Sequence, residues 1–307
     1  MKSKQPVLLA ICGPTAVGKT AMAIALAQQW RTEIISFDSR QFYRELPIGT
    51  APPTPAQLSQ APHHFIGHRS IHASWDAGDF EKAALIKLNE LFQNHSLVIA
   101  VGGSGLYLKA LLEGFDPLPP VSAALRQKWR KAYQKKGLTF LQEQLHQTDP
   151  EYYHTVDRNN PQRLLRALEV AESSGFPYSS FRKGSATKRP FDVLKIGLNL
   201  PRPELYERIN ERARTMMAQG LEEEARSLHQ YKNLNALQTV GYRELFSHFE
   251  GHISREEALA EIQKNTRRFA KRQLTWFHKD PEIKWFEPPE QANIVQWAEN
   301  HLKNLTL

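Results

Sequence analysis

The sequence predicts an α/β fold in which a parallel sheet is flanked by helices and interrupted by a helical insertion domain. Three observations predict it. Short apolar runs rich in β-branched residues alternate with segments of helical spacing, which is the pattern of a parallel α/β sheet. The first run leads through a glycine-containing loop into an alanine-rich helical segment. The alternation stops at residues 115–120 and resumes near residue 190, with mainly helical patterns between.

The individual elements follow from these patterns. Strands are predicted at residues 6–12, 33–38, 97–101 and 193–200. Helices are predicted at residues 20–30 and 106–114 beside the sheet, and at 123–136 and 161–173 in the insertion. The predicted organisation is therefore a first core segment at 1–117, a helical insertion at 118–195, and a second core segment with C-terminal helices at 196–307.

One C-terminal helix is predicted in more detail. Ser254 and Glu257 form a capping box, which opens a helix that runs to about residue 279. At about 100° per residue, five cations share an arc of roughly 140°: Lys264, Arg267, Arg268, Lys271 and Arg272. The apolar residues fall on the other side: Ala258, Leu259, Ile262, Phe269, Trp276 and Phe277. This helix is expected to pack on one face and to present either a solvated basic surface or a phosphate-binding one.

Composition excludes several classes of protein. The chain has 307 residues, of which 41% are hydrophobic and 23% charged, values typical of a globular protein. Its longest apolar runs are far shorter than the roughly 20 residues of a membrane helix. The apolar run at Val7–Cys12 flows directly into the loop, so we interpret it as a strand and not as a leader. The single cysteine excludes an intrachain disulfide and fits a reducing compartment. We expect a monomeric, cytoplasmic protein with no membrane association.

The net charge of +8 is concentrated in one region. Residues 118–195 contain fourteen Lys and Arg against seven Asp and Glu. A solvated surface without a partner would explain this excess, and so would binding of a polyanion larger than a nucleotide.

The strongest motif follows the first strand. Its eight residues fit the G-x-x-x-x-G-K-[ST] phosphate loop: Gly13, Pro14, Thr15, Ala16, Val17, Gly18, Lys19 and Thr20. Backbone N–H groups and the start of the next helix would bind the anion. Lys19 adds a charge on the phosphates, and Thr20 is a candidate Mg²⁺ ligand. The predicted fold is accordingly P-loop NTPase-like.

The sequence after the loop departs from that of a kinase or an NTPase. There is no N-K-x-D run for base recognition, and the strand at 97–101 ends in Gly-Gly-Ser-Gly instead of an acid. The acid at a strand end is Asp38. This carboxylate could hold magnesium through water, take a proton from a substrate above the loop, or cap a turn with Ser39.

Nine segments in chain order carry a more specific signal. They are GPTAVGKT, SFDSRQFYRELPIGTAPP, HHFI, AGDF, VGGSGLYLKALLEG, NPQRLLRALEV, RINERARTMMAQGLEEEA, TVGYREL and TRRFAKRQLTWF. Together they resemble the tRNA dimethylallyltransferases, also called tRNA isopentenyltransferases or the IPP transferase family. The resemblance runs from about Val7 to about Phe286.

This resemblance implies an activity and a set of roles. The loop would hold dimethylallyl diphosphate, whose prenyl group goes to N6 of the adenine 3′-adjacent to the anticodon with release of diphosphate. Asp38 would be the general base, with Lys19 and Arg212 on the departing diphosphate and Mg²⁺ on Thr20. The implied partner is the anticodon stem-loop of tRNA. Candidate tRNA-binding residues are Asp38, Ser39, Arg40, Gln41, Ser104, Arg126, Gln162, Arg163, Leu164, Leu165, Arg166, Gln238, Thr239, Val240, Gly241, Tyr242 and Arg243.

Departures from the family pattern and rival functions are also visible. Pro52 replaces a lysine often found in the family, Gly67 replaces an acid, and Ser104 replaces a threonine. An adenylate isopentenyltransferase acting on free AMP, ADP or ATP would share the loop and Asp38, but the basic insertion favours tRNA. A small-molecule kinase would need an acid at the end of the third strand, and a non-catalytic RNA-binding NTPase would not need Asp38.

Overall fold

The computed structural model describes residues 5–182, 184, 187–288 and 290–305. They form two compact units. The first comprises Met1–Leu112 and Lys188–Leu307, and the second comprises Glu113–Thr187. The insertion predicted at 118–195 thus overlaps the second unit, but residues 188–195 belong to the first because they lead into a strand of its sheet.

The first unit is built on a six-stranded parallel sheet. Its strands are β1 (Val7–Cys12), β2 (Ile34–Ser36), β3 (His63–His64), β4 (Leu97–Val101), β5 (Asp192–Leu198) and β6 (Lys284–Phe286). Their order across the sheet is β3-β2-β4-β1-β5-β6. The four predicted strands are confirmed within one to two residues at each end. The short edge strands β3 and β6 escaped prediction because two or three residues make no detectable pattern.

Twelve α-helices are assigned among the described residues. They are α1 (Lys19–Trp30), α2 (Pro55–Leu58), α3 (Ala77–Leu91), α4 (Gly105–Glu113), α5 (Ala123–Thr148), α6 (Pro150–Thr155), α7 (Pro161–Ser174), α8 (Arg202–Ala218), α9 (Leu221–Leu228), α10 (Tyr242–Phe249), α11 (Arg255–Phe277) and α12 (Gln291–Leu305). No helix in the described part of the chain is both long and apolar enough to span a bilayer.

The central strand β1 is buried on both faces, which explains its unbroken apolar run. Alternate residues enter different cores: Leu9 and Ile11 join one hydrophobic cluster, whereas Leu8 and Cys12 join the other. Burial raises the pKa of the Cys12 thiol to about 12. The sheet therefore fixes the carboxyl end of β1, from which the phosphate loop departs.

The second unit has its own core, formed mainly by α5 and α7. Its fully buried side chains include Leu141, Leu145 and Leu164. At Gly137 the backbone takes φ +78° and interrupts α5, which is why the helical pattern read from the sequence stopped at residue 136. The two ends of the unit lie side by side, since Thr187 N–H donates to the Glu113 carbonyl at 2.7 Å.

Candidate active site at the carboxyl ends of the strands

The phosphate loop connects β1 to α1, as its motif requires. Gly13 has φ +142° and Gly18 has φ +105°, left-handed conformations that favour glycine. A Cβ at position 13 would lie 2.4 Å from the Leu198 carbonyl oxygen, so only glycine fits there. Ala16 also has a positive φ, +65°. A left-handed residue beside right-handed neighbours turns successive backbone N–H groups toward a common centre, which makes a concave anion site.

Lys19 begins α1 and points back across the loop. Its Nζ donates to the Pro14 carbonyl at 2.7 Å. Burial lowers its pKa to about 8, with Asp38 opposing and Arg212 adding to that effect. The first turn of α1 contains no acidic residue. The lysine therefore lies at a helix start whose own first turn supplies no counter-charge, which suits a bound polyanion.

Asp38 follows β2 and is held in a turn. Its Oδ1 accepts the backbone N–H groups of Arg40 at 2.9 Å and Gln41 at 3.4 Å. No hydrogen bond from a described residue reaches Oδ2. The turn-capping role and a chemical role are thus compatible, because they use different oxygens of one carboxylate.

Ser104 lies beside this turn. It follows β4, and its Oγ accepts the Ser39 N–H at 2.9 Å and donates to Ser39 Oγ at 3.0 Å. The structure therefore brings together three residues that the resemblance assigns to the acceptor side: Asp38, Ser39 and Ser104.

Arg212 reaches the same region from α8. Its Nη1 lies 3.5 Å from Thr15 Oγ1, and its Nη2 donates to the Ala51 carbonyl at 3.2 Å. Burial lowers its pKa, and Asp38 acts in the opposite direction. Two cations, Lys19 and Arg212, consequently face the phosphate loop, and the carboxylate of Asp38 lies close enough to influence both.

The predicted tRNA residues in the first unit fall into two groups. The exposed ones are Gln238 and Arg243. Tyr242 is fully buried, and its hydroxyl donates to Glu224 Oε1 at 2.6 Å. Arg40 donates to the carbonyls of Asn235 and Ala236 at 2.8 and 3.2 Å. The side chains of Tyr242 and Arg40 therefore support neighbouring backbone, and direct RNA contact through the Tyr242 side chain is not possible in this arrangement.

In the second unit, the segment predicted to contact tRNA also contains both exposed and buried side chains. Gln162 and Arg163 are exposed, whereas Leu164 and Leu165 are buried in the core. Their side chains cannot touch RNA while that core is intact. The exposed Arg126 and the half-buried Arg166 both lower the pKa of the buried Glu169, against the larger effect of burial, which raises it.

The helix α11 differs from its prediction in two respects. Its capping box is confirmed, with Ser254 Oγ accepting the Glu257 N–H at 3.1 Å. Phe269 and Trp276, however, are 39% exposed each instead of buried. The basic face is also divided, because Arg267 donates to Asn210 Oδ1 at 2.7 Å and Lys264 pairs with Glu261. The exposed cations that remain are Arg268, Lys271 and Arg272.

Gln273 on α11 is a site residue that sequence reasoning missed. It is buried, accepts the Thr15 N–H on Oε1 at 2.8 Å, and donates from Nε2 to the Gly103 carbonyl at 2.9 Å. It thus joins the phosphate loop to the turn after β4. An amide on an otherwise apolar helical face was the available signal, but its partners lie 258 and 170 residues away.

Fold and site together define an α/β phosphate-loop protein in which an acid and two cations from distant segments meet above the loop. Comparison with known proteins identifies the family. The family model described as IPP transferase matches residues 41–280. A tRNA dimethylallyltransferase of Christiangramia forsetii is 51% identical over 296 residues, which is 96% of this chain and 98% of that protein. The chain belongs to the IPP transferase family.

Solved structures agree with this assignment. The full-length tRNA isopentenylpyrophosphate transferase of Bacillus halodurans matches with a TM-score of 0.73 and 32% identity, over 99% of this chain and 98% of that one. A eukaryotic dimethylallyltransferase acting on tRNA matches with a TM-score of 0.83 over 97% of this chain and 80% of its own. At 22% identity, the second match supports the fold alone.

Proposed function

We propose that this protein transfers a dimethylallyl group from dimethylallyl diphosphate to N6 of the adenine 3′-adjacent to the anticodon of tRNA, releasing diphosphate. Family membership supports the reaction class. The observation that carries the assignment is the meeting of Lys19 and Arg212 at the phosphate loop with Asp38 nearby. This arrangement provides cations for a leaving diphosphate and a carboxylate for an incoming amine.

The donor side of the reaction depends on charge stabilisation. As the bond between the allylic carbon and the diphosphate oxygen breaks, negative charge develops on the leaving group. Lys19, Arg212 and the loop N–H groups are the groups of this chain that would stabilise it. Each has a partner before the donor arrives: Gln273 holds the loop at Thr15, Lys19 donates to Pro14 and Arg212 donates to Ala51. Little reorganisation is therefore needed during the reaction.

The acceptor side depends on proton removal. The lone pair of an adenine amine is delocalised into the ring, so N6 is a weak nucleophile. Asp38 Oδ2 would take the N6 proton as the new C–N bond forms, while Oδ1 stays bound to the turn at Arg40. The adenine reaches such a site only when it is unstacked and flipped out of the anticodon loop.

Magnesium is part of the proposal. Mg²⁺ in such sites takes one or two protein oxygens, several waters and the substrate phosphates, so the hydroxyl of Thr20 together with the donor's own phosphates would be a sufficient donor set. No cluster of three or more His, Cys, Asp or Glu suited to a metal occurs in the described residues, and none is needed here. When bound, the ion would neutralise charge on the diphosphate.

The exposed cations of the second unit favour tRNA over free adenylate as the acceptor. Arg126 and Arg163 are exposed there, and cations of this kind gain affinity from phosphates of a polyanion. An adenylate isopentenyltransferase would have no use for them. We expect the enzyme to act as a monomer in the cytoplasm.

One assay separates the alternatives. Labelled dimethylallyl diphosphate is incubated with unmodified tRNA, with AMP, or with neither, and label transfer is measured. The proposal requires transfer to tRNA and none to AMP. Transfer to AMP alone would establish the adenylate enzyme instead. Steady-state ATP hydrolysis or phosphoryl transfer that is lost in Lys19→Ala would favour a kinase.

A further inference from the structure

Two large aromatic side chains on α11 lie at the surface. Phe269 and Trp276 are 39% exposed each. They are seven residues apart, which is about two helical turns, and Arg272 lies between them along the helix, at the edge of the basic arc that adjoins the two rings. The Arg272 guanidinium is 5.8 Å from the centre of the Phe269 ring. We call these three residues the aromatic strip.

The helix α11 contacts elements of the candidate site on both sides of the aromatic strip. At one end, Asn265 Nδ2 donates to Glu244 Oε1 at 2.8 Å, and Glu244 Oε2 accepts the Gly241 N–H at 2.9 Å. At the other end, the Trp276 indole lies against Gly105, where an added Cβ would be 2.1 Å from the ring.

The position of Gly105 brings the strip to the reacting groups. It follows Ser104, which is hydrogen-bonded to Ser39 next to Asp38. From Asn265 to Trp276 the helix rises about 16 Å. The strip thus lies on α11 between the segment at residues 238–243, of which Gln238 and Arg243 are exposed, and the side of the general base.

Charge along the strip points to the nature of its partner. Arg272 and, next to the strip, Arg268 are exposed, and no ion pair joins either of them to an acid in the described residues, whereas Lys271 lies on the other side of the helix. Aromatic faces interleaved with unpaired cations are the means by which proteins bind unpaired nucleotides, with bases stacked on rings and phosphates on the cations. A surface for a protein partner would not require this excess of cations.

We propose that the aromatic strip stacks the bases next to the reacting adenine in the anticodon loop. The inference rests on the proposed function, because flipping one adenine out of a loop leaves its neighbours without a stacking partner. Phe269 and Trp276 supply replacement surfaces, and Arg272 adds a planar cation between them. The strip therefore lowers the cost of extruding the adenine.

The test uses an anticodon stem-loop RNA with 2-aminopurine at each position flanking the target adenine. Wild-type protein should quench this fluorescence on binding. Phe269→Leu and Trp276→Leu should each bind the RNA about 5- to 150-fold more weakly, the range expected for loss of one stacked base, and should lose quenching at one flanking position. Affinity for dimethylallyl diphosphate should stay unchanged in both.

Two kinds of control keep the test decisive. Phe269→Tyr and Trp276→Phe keep a ring and should restore quenching, which separates stacking from packing. Ile86→Ala removes another exposed apolar side chain, 64% exposed on α3, and should change nothing. RNA affinity within twofold of wild type and intact quenching in both leucine variants would overturn the proposal, as would equal loss in the ring-retaining variants.

The wild-type label-transfer assay is read separately. If wild type binds and quenches the stem-loop but transfers no prenyl group, the proposed reaction is wrong and the strip stands as an RNA-binding surface. If wild type prenylates the stem-loop and no flanking base is quenched, the reaction stands and the strip is wrong.

Discussion

At the scale of single residues, Lys19 carries a charge whose burial destabilises the free protein but favours binding of an anionic donor. Removal from water lowers its pKa to about 8, which means that the charged form is less favoured than in water and is lost as the pH rises above 8. A diphosphate in the loop would raise the pKa again. Binding and protonation are therefore linked at this residue.

This linkage predicts a pH dependence of donor binding. Above pH 8 the free enzyme must take up a proton at Lys19 to bind the donor well, so affinity should fall by up to about tenfold per pH unit between pH 8 and 9.5. Calorimetric titration with dimethylallyl diphosphate, without tRNA, measures it. Lys19→Arg stays charged and should give a flat profile. The same slope in both proteins would show that Lys19 is not the titrating group.

The pH dependence of folding stability has the opposite sign to that of donor binding. The ordinary lysine pKa of 10.5 applies in the unfolded chain and about 8 in the folded one. Between these values the unfolded chain binds more protons, so the contribution of Lys19 to the free energy of unfolding rises with pH. The pH window that stabilises the free protein is thus the one that weakens donor binding.

Asp38 divides its two oxygens between structure and proposed chemistry, and this predicts the result of one substitution. Asp38→Asn keeps an oxygen for the Arg40 N–H but cannot accept a proton. Turnover should fall by about 10²–10⁴-fold, with tRNA affinity nearly unchanged. Single-turnover rates measured across a magnesium titration test the role. Rescue by excess Mg²⁺, or turnover above about a tenth of wild type, would assign Asp38 to metal binding instead.

At the scale of elements, α11 organises the site. Through Gln273 it connects the phosphate loop to the turn after β4. Gln273→Leu keeps the volume but leaves the Thr15 N–H and the Gly103 carbonyl without partners. We expect a loss of about 2–5 kcal/mol in the free energy of unfolding, together with weaker donor binding.

Chemical unfolding and donor titration measure both effects. Gln263→Leu on the same helix is the matched control, since it loses one bond, to the Asn210 carbonyl at 3.3 Å, instead of a bond to the loop. It should lose less stability and keep donor affinity. Normal donor binding in Gln273→Leu would show that the loop keeps its conformation without this contact.

The helix α7 carries a second prediction. Its apolar residues form the core of the second unit, whereas Arg163 is exposed and Arg166 half-buried. Replacing both by alanine should weaken tRNA binding on the order of tenfold and reduce the slope of log affinity against log salt by about 1 to 2.

The control removes two cations from α8. Arg208 and Arg214 pair with glutamates on their own helix, at 2.8 and 2.7 Å, so their loss should matter little. A filter-binding series from low to high salt distinguishes the two double variants. Identical salt slopes for wild type and the α7 variant would exclude α7 from tRNA binding.

How far the sequence alone predicts these elements depends on how far apart in the chain the interacting residues lie. The phosphate loop and the capping box at Ser254 are local, so their residues specify them directly. The contact of Gln273 with Thr15 depends on the fold and leaves no local pattern. The exposure of Trp276 could not be predicted either. Helical spacing places it on the same side of α11 as the buried Ala258, but only tertiary packing decides how far along the helix that side is buried.

At the scale of the whole molecule, the two units have separate cores, and this predicts that one can be removed. Because Thr187 and Glu113 are hydrogen-bonded neighbours, a short Gly-Ser linker can replace the second unit without stretching the chain. The remaining unit should fold and bind dimethylallyl diphosphate with unchanged affinity, while tRNA binding should fall below detection.

Circular dichroism, donor calorimetry and tRNA filter binding check the three parts of this expectation. Unimpaired tRNA binding in the shortened protein would mean that the anticodon arm is held by the first unit alone. A shortened protein that folds but no longer binds donor would show that the phosphate loop depends on the second unit.

The burial of Cys12 in β1 has a practical consequence. With its pKa near 12, almost no thiolate exists at neutral pH, and the sulfur is out of reach of reagents. Since it is the sole cysteine of the chain, maleimide dyes should not react with the natural protein. New cysteines on exposed positions can then be labelled one at a time without first deleting the native one, so that fluorescence transfer between the units and a bound tRNA can be followed in real time.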